Sequence, residues 1–539
     1  LGSDAGLYWV VVSNRYGSIT SAVAELTVNL ATLDGDFQIE VDGPIYCLAV
    51  QPDGKILVGG DFSELNGQAR TSLGRLNPDG TVDPGFAPEL GGVRYPAVHC
   101  LVQQPDGKIV VGGEFWTLAG QPRRYIGRLN PDGRADPQFD PGANATVQAL
   151  ALQSDGRILV GGLFTMLGGQ ARHYLGRLNA DGSLDPGFNP GADGWVACFG
   201  LQSDGKIVIG GGFSAVAEQP RHGLARLHPE GTLDTGFDPR ASGEVWCLAV
   251  QPDDRLVVGG GFTTLAGQHR AGLGRLNPDG TVDLSFDADA DDWVSAIALQ
   301  ADGKIIVAGW FGTLAGQLRS CVARLNPDGT LDANFNPEAD SLVSAVAIQP
   351  DGRVLLGGEF SRLAGQPTRR LGRLQATAPV LQHLVIDGSR IRWQRSGSGP
   401  ELAWVKFEYS VDGVKWLLAG LGTRVVGGWQ WSGAALPPGT AVRACGYVAG
   451  AGDTGWVLED RLEPLAPIRL SAMRAGTNLV LHWTGGRGPY QVQQCTDLGQ
   501  PSWWTDLGEP IFTNSIALPI GTGNLFLRVK GQSSAVRLP

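Results

Sequence analysis

A chain of 539 residues is long enough for several domains with cores of their own. Its 80 glycines, 33 prolines and 18% charged residues suit many short strands joined by tight turns and argue against disorder. A net charge of −11 argues against a nucleic-acid partner, and no apolar run reaches the roughly 18 residues of a membrane-spanning helix. The opening "LGSDAGLYWV" lacks the pattern of a signal peptide and reads as the interior of a longer polypeptide, so it carries no information about export.

Residues 1–30 contain "SDAGLYWVVVSNRYGSITSAVAELTV". This resembles the last two strands of an immunoglobulin-like domain, whose motif is D-x-G-x-Y-x-C. Asp4, Gly6 and Tyr8 match, whereas Val10 stands at the cysteine position, which excludes that family's disulfide. A hairpin without its preceding strands is marginal alone, and the C-terminal region is its expected partner.

From residue 31 to 375 a repeat takes over. The aspartate of "QPDGK" recurs at Asp53, Asp106, Asp155, Asp204, Asp253, Asp302 and Asp351, at intervals of 53 and then 49 residues. The third repeat separates into four extended pieces: "VQALALQ", apolar enough to be buried on both faces, "RILVGG", "HYLGRLN" and a short "LDPGF". Asp-Gly between the first two suits a two-residue hairpin, and the paired glycines imply close approach of a backbone or a large side chain. About four short strands per repeat predict a propeller blade; the glycines and the missing 3.6-residue period exclude a helical solenoid. "GRL" or its equivalent occurs seven times, at Arg75, Arg128, Arg177, Arg226, Arg275, Arg324 and Arg373, but the last copy lacks a following "DGxLDxxF". "ATLDGDF" near the start supplies it, so Leu33–Phe37 is predicted to complete the sheet of Arg373 and close a seven-bladed ring without a free edge.

The unit "LNPDGxxDxxF…QPDGKIxVGGxFxxLxGQxRxxxGRL" resembles the delta-60 repeat of secreted bacterial proteins, over about 345 residues. The resemblance implies a propeller-like fold and an extracellular or cell-surface location, and says little about biochemistry. Local departures are Asp254 and Glu218 for glycine, His228 for asparagine and Thr368 for arginine.

Residues repeated sevenfold are expected to serve the scaffold. The arginines above are expected to pair with Asp34, Asp83, Asp136, Asp185, Asp234, Asp283 and Asp332. The glutamine of "GQxR", Gln68 and its equivalents, is expected to satisfy backbone groups of the long connection through its amide. Cys47, Cys100, Cys198 and Cys247 share a slot with Ala149, Ala296 and Ala345, which implies a small buried apolar site; Cys321, Cys445 and Cys495 show no ligand spacing.

Function is expected where the repeats diverge. The second position of the first strand reads Tyr46, His99, Gln148, Ala197, Trp246, Ser295 and Ser344. Two positions earlier stand Pro44, Ala97, Thr146, Trp195, Glu244, Trp293 and Leu342. First strands line a propeller's channel, so these residues ring one mouth. Trp195, Trp246 and Trp293, with Tyr46 and His99, are the candidate ligand-binding residues, suited to a glycan or a protein surface; alternatively each tryptophan caps its blade's core. The run "DADADDW" offers Asp287, Asp289 and Asp291 as calcium ligands, against the alternative of a solvated loop, and no other cofactor is implied. Catalytic motifs are absent; His99, Tyr95 and Arg94 form the one local group suited to acid–base work.

Residues 376–463 and 464–539 read as two sandwich modules, the second fibronectin-like by resemblance, with a linker at Pro464–Pro467; Trp503 and Trp504 read as a ligand platform or, alternatively, one of them fills the core. The expected whole is an all-β, exported protein: a seven-bladed β-propeller closed by an N-terminal strand, followed by β-sandwich modules. Its expected role is non-catalytic binding or adhesion to a glycan or cell-surface protein. The alternatives are a polysaccharide lyase or hydrolase working in the same mouth, and a structural spacer.

Overall fold

The computed structural model describes residues 6–8, 11–14, 17–20, 24–26, 29–387, 389–410, 415–434, 436, 440–448, 457–462, 469–484, 490–495, 505–507, 513, 515–519 and 526–531. All regular structure among them is β. Each repeat forms a three-stranded antiparallel sheet in chain order, as in Ile45–Val50, Ile56–Gly60 and Leu73–Leu76. Six more follow, with first strands Ala97–Gln103, Val147–Leu152, Val196–Leu201, Val245–Val250, Trp293–Leu299 and Val343–Ile348. First strands adjoin one another in sequence, and the seventh adjoins the first, so the sheets form a closed ring. The segment before the first sheet meets the last: Leu33 bridges Leu374, and the Asp34 amide donates to the Arg373 carbonyl at 2.7 Å.

Three local expectations need correction. The fourth piece is a single antiparallel bridge, such as Leu76 to Val82, not a strand. Asp83 ends it, because its carboxylate accepts the Gly85 amide at 2.9 Å and turns the chain away. The "PDG" hairpin has three loop residues, not two: the Gln51 amide bonds the Lys55 carbonyl at 2.8 Å, and only Gly54 takes positive φ, at 82°. Asp254 occupies the same conformation at φ 62°, and its carboxylate accepts the Ser203 amide of the preceding sheet at 2.9 Å. The seven "GQxR" glutamines have exposed side chains and open two-residue return strands of short hairpins, such as Glu64–Leu65 with Gln68–Ala69, so the chain path of the connection is set by backbone pairing rather than by their amides.

The repeated arginines tie each sheet to itself and to the next. Arg75 Nε donates to Asp83 at 2.9 Å, and its guanidinium stacks on Phe86 at 4.3 Å. Its Nη1 reaches the Pro131 carbonyl of the following sheet at 2.8 Å. The other six repeat this arrangement. Arg324 bonds the Thr377 hydroxyl where the eighth turn would stand, and Arg373 returns to the Pro78 carbonyl of the first sheet at 2.7 Å. Lys108 adds a second cation to Asp136, at 2.9 Å. Burial alone would raise the Asp136 carboxyl, but the hydrogen bonds from Lys108, the Gln138 amide and Arg128 prevail and hold it at about 2. Asp83, Asp185, Asp234, Asp283 and Asp332 are lowered too. A depressed folded-state pKa gives stability that is complete above the unfolded value near 3.9 and is lost as pH falls toward the folded value. Urea midpoints should therefore drop steeply between about pH 4 and pH 2, and Asp136→Asn should lower the midpoint at pH 7 while flattening that limb.

After the ring, eight strands form two four-stranded sheets. One contains Val380–Asp387, Arg390–Gly397, Gly428–Ser432 and Thr423–Val425; the other contains Leu417–Leu421, Leu402–Ser410, Ala441–Val448 and Val457–Leu462. Trp393 and Trp429 from the first pack with Val405, Phe407 and Val442 from the second. This unit sits on the end of the ring that carries the "PDG" turns. Gln300 bridges Pro400, the Glu401 amide bonds the Leu299 carbonyl at 2.8 Å, and Trp404 Nε1 reaches the Leu152 carbonyl at 3.4 Å. Cys445 and Tyr447 pack into the apolar cluster that holds Val102 and Leu152. Further on, Leu481, Trp483, Val492 and Leu518 form a small core between two three-stranded sheets.

At the other terminus Gly6–Tyr8 pairs with Ala24–Leu26, and Val11–Asn14 with Gly17–Thr20. The chain that follows is tied to the ring, since Asn29 Nδ2 donates to the Asn336 carbonyl at 2.6 Å. Asp4, Val10, the expected linker at 464–467, Trp503 and Trp504 lie outside the described residues.

Candidate functional site

Every first strand carries a β-bulge at the same place: pairing skips one residue between Ile45 and Cys47, and likewise in the six other sheets. The skipped residues are Tyr46, His99, Gln148, Ala197, Trp246, Ser295 and Ser344. A bulge leaves its extra residue outside the ladder and re-aims the side chain. Each of these residues is at least partly exposed while both its neighbours are buried.

The paired glycines of the second strand make the bulge possible. A Cβ on Gly211 would collide with the Trp195 carbonyl, which turns inward there; Gly60, Gly113, Gly162, Gly260, Gly309 and Gly358 face the corresponding carbonyls. The residue after each second glycine lies opposite the entrance residue of the first strand. The Asp61 amide donates to the Pro44 carbonyl at 2.9 Å, the same bond joins Leu163 to Thr146, Gly212 to Trp195, Gly261 to Glu244 and Glu359 to Leu342, and Ala97–Glu114 and Trp293–Trp310 are direct ladder partners. Three rings of positions thus meet at the end of the ring opposite the "PDG" turns.

On this rim the structure gathers an aromatic arc. Trp195 and Trp246 have ring centroids 4.9 Å apart at 43°. Trp195 lies flat over Gly212, where a Cβ would come within 2.5 Å of the indole. Trp246 and Trp293 both approach Gly261, at 3.8 and 3.4 Å from where its Cβ would stand. Trp310 extends the arc beside Trp293. Trp246, Trp293 and Trp310 are 37%, 58% and 47% exposed, which is not the geometry of core caps. Trp310 escaped the sequence argument, although its slot varies as strongly as the other two: Asp61, Glu114, Leu163, Gly212, Gly261, Trp310 and Glu359.

Across the rim Tyr46 and His99 stack in parallel, 5.2 Å apart at 8°. Burial, then Asp61 and Glu359, push the Tyr46 hydroxyl up. Burial brings the His99 imidazole down to about 4, so it is neutral near pH 7 and poorly matched to proton transfer there. Tyr95 is exposed, and the Arg94 guanidinium lies over its ring at 5.1 Å. The serines of the bulge ring serve the scaffold. Ser295 Oγ donates to the Val343 carbonyl at 2.8 Å and Ser344 Oγ to that of Ile45 at 2.6 Å. Elsewhere a thiol from the next residue reaches the equivalent carbonyl, as Cys47 does to Val98 at 3.8 Å. The cysteine slot is therefore not merely apolar, and none of the described cysteines forms a disulfide.

The acidic run does not gather into a metal site. Asp291 accepts the Gly312 and Thr313 amides at 2.9 Å, the capping role that Asp42, Asn144, Asp193, Ser242 and Asp340 play in other repeats. Asp289 faces the Ala271 amide and His269, and Asp287 lies 3.7 Å from Arg270. Among the described residues no three His, Cys, Asp or Glu side chains are grouped to hold an ion, and no helix is long and apolar enough to cross a membrane.

Residues 51–86, 104–139, 153–188, 202–237, 251–286, 300–335 and 349–377 match the model of a family described as a domain of unknown function (DUF5122) beta-propeller. The repeats build a propeller-like domain. No curated protein matches the chain. Among solved structures it is similar to the WD40 beta propeller domain of Doa1, with 14% identity over 65% of this chain and 97% of that one, at a TM-score of 0.44. A second match is trypsin-activated alpha-2-macroglobulin from Escherichia coli, with 10% identity over 96% of this chain and 41% of that one, at a TM-score of 0.13. Neither likeness is close enough to carry an argument about activity.

Proposed function

We propose that the propeller-like domain is a seven-bladed propeller closed by its leading segment, and that it is a non-catalytic binding module whose open rim takes a glycan or a protein surface outside the cell. The observation that carries this is the aromatic arc of Trp195, Trp246, Trp293 and Trp310. A contiguous group of large apolar rings held at the surface by bulges and glycines marks an interaction site, and tryptophans of this kind carry most of the energy of a binding surface. The neutral His99, stacked on Tyr46, speaks against the lyase or hydrolase alternative, and the exposure of Trp246, Trp293 and Trp310 speaks against a pure spacer. The two four-stranded sheets after residue 379 serve, in this proposal, as a sandwich that seals the far end of the ring and joins it to further modules. The extracellular or cell-surface setting rests on the resemblance of the repeats.

The test is a glycan-array and protein-binding comparison of the full chain with the Trp195→Ala, Trp246→Ala, Trp293→Ala, Trp310→Ala variant. Loss of affinity by about 30-fold or more is expected, corresponding to hot-spot truncation, with an unchanged melting curve. A ligand bound equally by the variant would remove the rim from consideration.

A further inference from the structure

We propose that the rim recognises a cationic protein segment, one presenting arginine or lysine side chains. This rests on the rim being the binding surface and adds the chemistry of the partner. The entrance, bulge and exit positions of the seven repeats contain four carboxylates, Asp61, Glu114, Glu244 and Glu359, and no lysine or arginine. All four are at least partly exposed. His99 contributes no positive charge near pH 7. The basic residues within four positions of the rim along the chain are engaged locally: Arg94 over the Tyr95 ring, Arg240 with Asp238 at 2.8 Å and Arg362 with the Gly365 carbonyl at 2.7 Å.

The charges and the rings are distributed so that one ligand meets both. Asp61 and Glu359 flank Tyr46 closely enough to act on its hydroxyl, and Glu244 stands on the strand of Trp246, opposite Gly261 where the Trp246 and Trp293 indoles converge. Indole faces attract ammonium and guanidinium groups, and more strongly where water is excluded. Carboxylates beside them supply the hydrogen-bonding anion for the same group. An anionic polysaccharide would meet repulsion on this rim; a neutral sugar could use the four carboxylates only as hydrogen-bond acceptors, whereas a cation gains their charge as well. The chain's overall charge of −11 adds long-range attraction for a basic partner.

The experiment measures binding of three labelled probes to the full chain: a short peptide of alternating arginine and glycine, its glutamate–glycine counterpart, and a neutral cello-oligosaccharide. The arginine peptide should bind, weaken as salt rises, and weaken by about tenfold for the Asp61→Asn, Glu359→Gln variant. The glutamate peptide should not bind. Melting curves of the variant establish that it is folded, and Glu114→Gln, Glu244→Gln provides a second pair away from Tyr46. Absence of arginine-peptide binding, binding by both carboxylate variants as tight as by the unaltered chain, or preference for the acidic or neutral probe would overturn the proposal. If a probe is lost on tryptophan replacement but indifferent to the carboxylates, the binding rim stands and its cationic ligand falls. A probe indifferent to both sets of changes counts against both.

Discussion

Replacing Arg373 with alanine is expected to lower stability by about 3–5 kcal/mol, the cost of stranding a buried partner charge, and to do more than the same change at Arg75. Both arginines make the same contacts, but they join different parts of the chain. Arg75 pairs with an aspartate 8 residues away, whereas Arg373 pairs with Asp34 across 339 residues. Arg373 also stacks on Phe37 at 4.1 Å and bonds Pro78 of the first sheet, so three attachments between the two ends of the ring are lost together. The remaining cation near Asp34 is Arg353, at 3.6 Å. Urea unfolding gives the size of the effect. Amide exchange gives its location: residues 30–37 should exchange faster in Arg373→Ala and stay protected in Arg75→Ala. Equal behaviour of the two variants would show that the leading segment does not depend on this pair.

Gly211→Val is expected to cost about 3 kcal/mol, because the added side chain has a backbone carbonyl in its place rather than a movable neighbour. To fit it, the Trp195 carbonyl must swing out and the bulge at Ala197 must be undone, which would return the strand to regular pairing and withdraw its rim residues. Gly212→Ala, one residue on, separates the two consequences. The atoms nearest its Cβ all belong to the Trp195 indole, from 2.5 Å, so the melting temperature should change little while indole fluorescence and ligand affinity change. If both variants melt alike, the glycine is not what holds the bulge.

The sheets, their order and the closing segment were legible because burial and turn chemistry are written locally: an apolar first strand, "PDG" at a fixed spacing, and an arginine eight residues before its aspartate. The short fourth piece is not a strand although "LDPGF" has the apolar content of one, because the Asp185 carboxylate accepts the Gly187 amide at 3.0 Å and a proline stands between them. The binding rim was legible as variability but not as geometry. A period-two strand would point Tyr46 and Leu48 to the same face, and only the bulge separates them. The signal for the bulge was present in the second glycine of each pair, whose partner is a carbonyl that no residue identity reveals. In the acidic run the solvated-loop reading needed one addition that sequence does not show: Asp291 caps the Gly312 and Thr313 amides, as Asp42 and Asp193 cap theirs.

The two four-stranded sheets lie against the turns of the ring and bring Trp404 and Tyr447 to its far end, stacked 3.9 Å apart. Around Leu152 and Leu299 the turn-bearing end of the ring is thereby covered, which leaves the opposite rim as the face that the proposed binding module offers to a large partner.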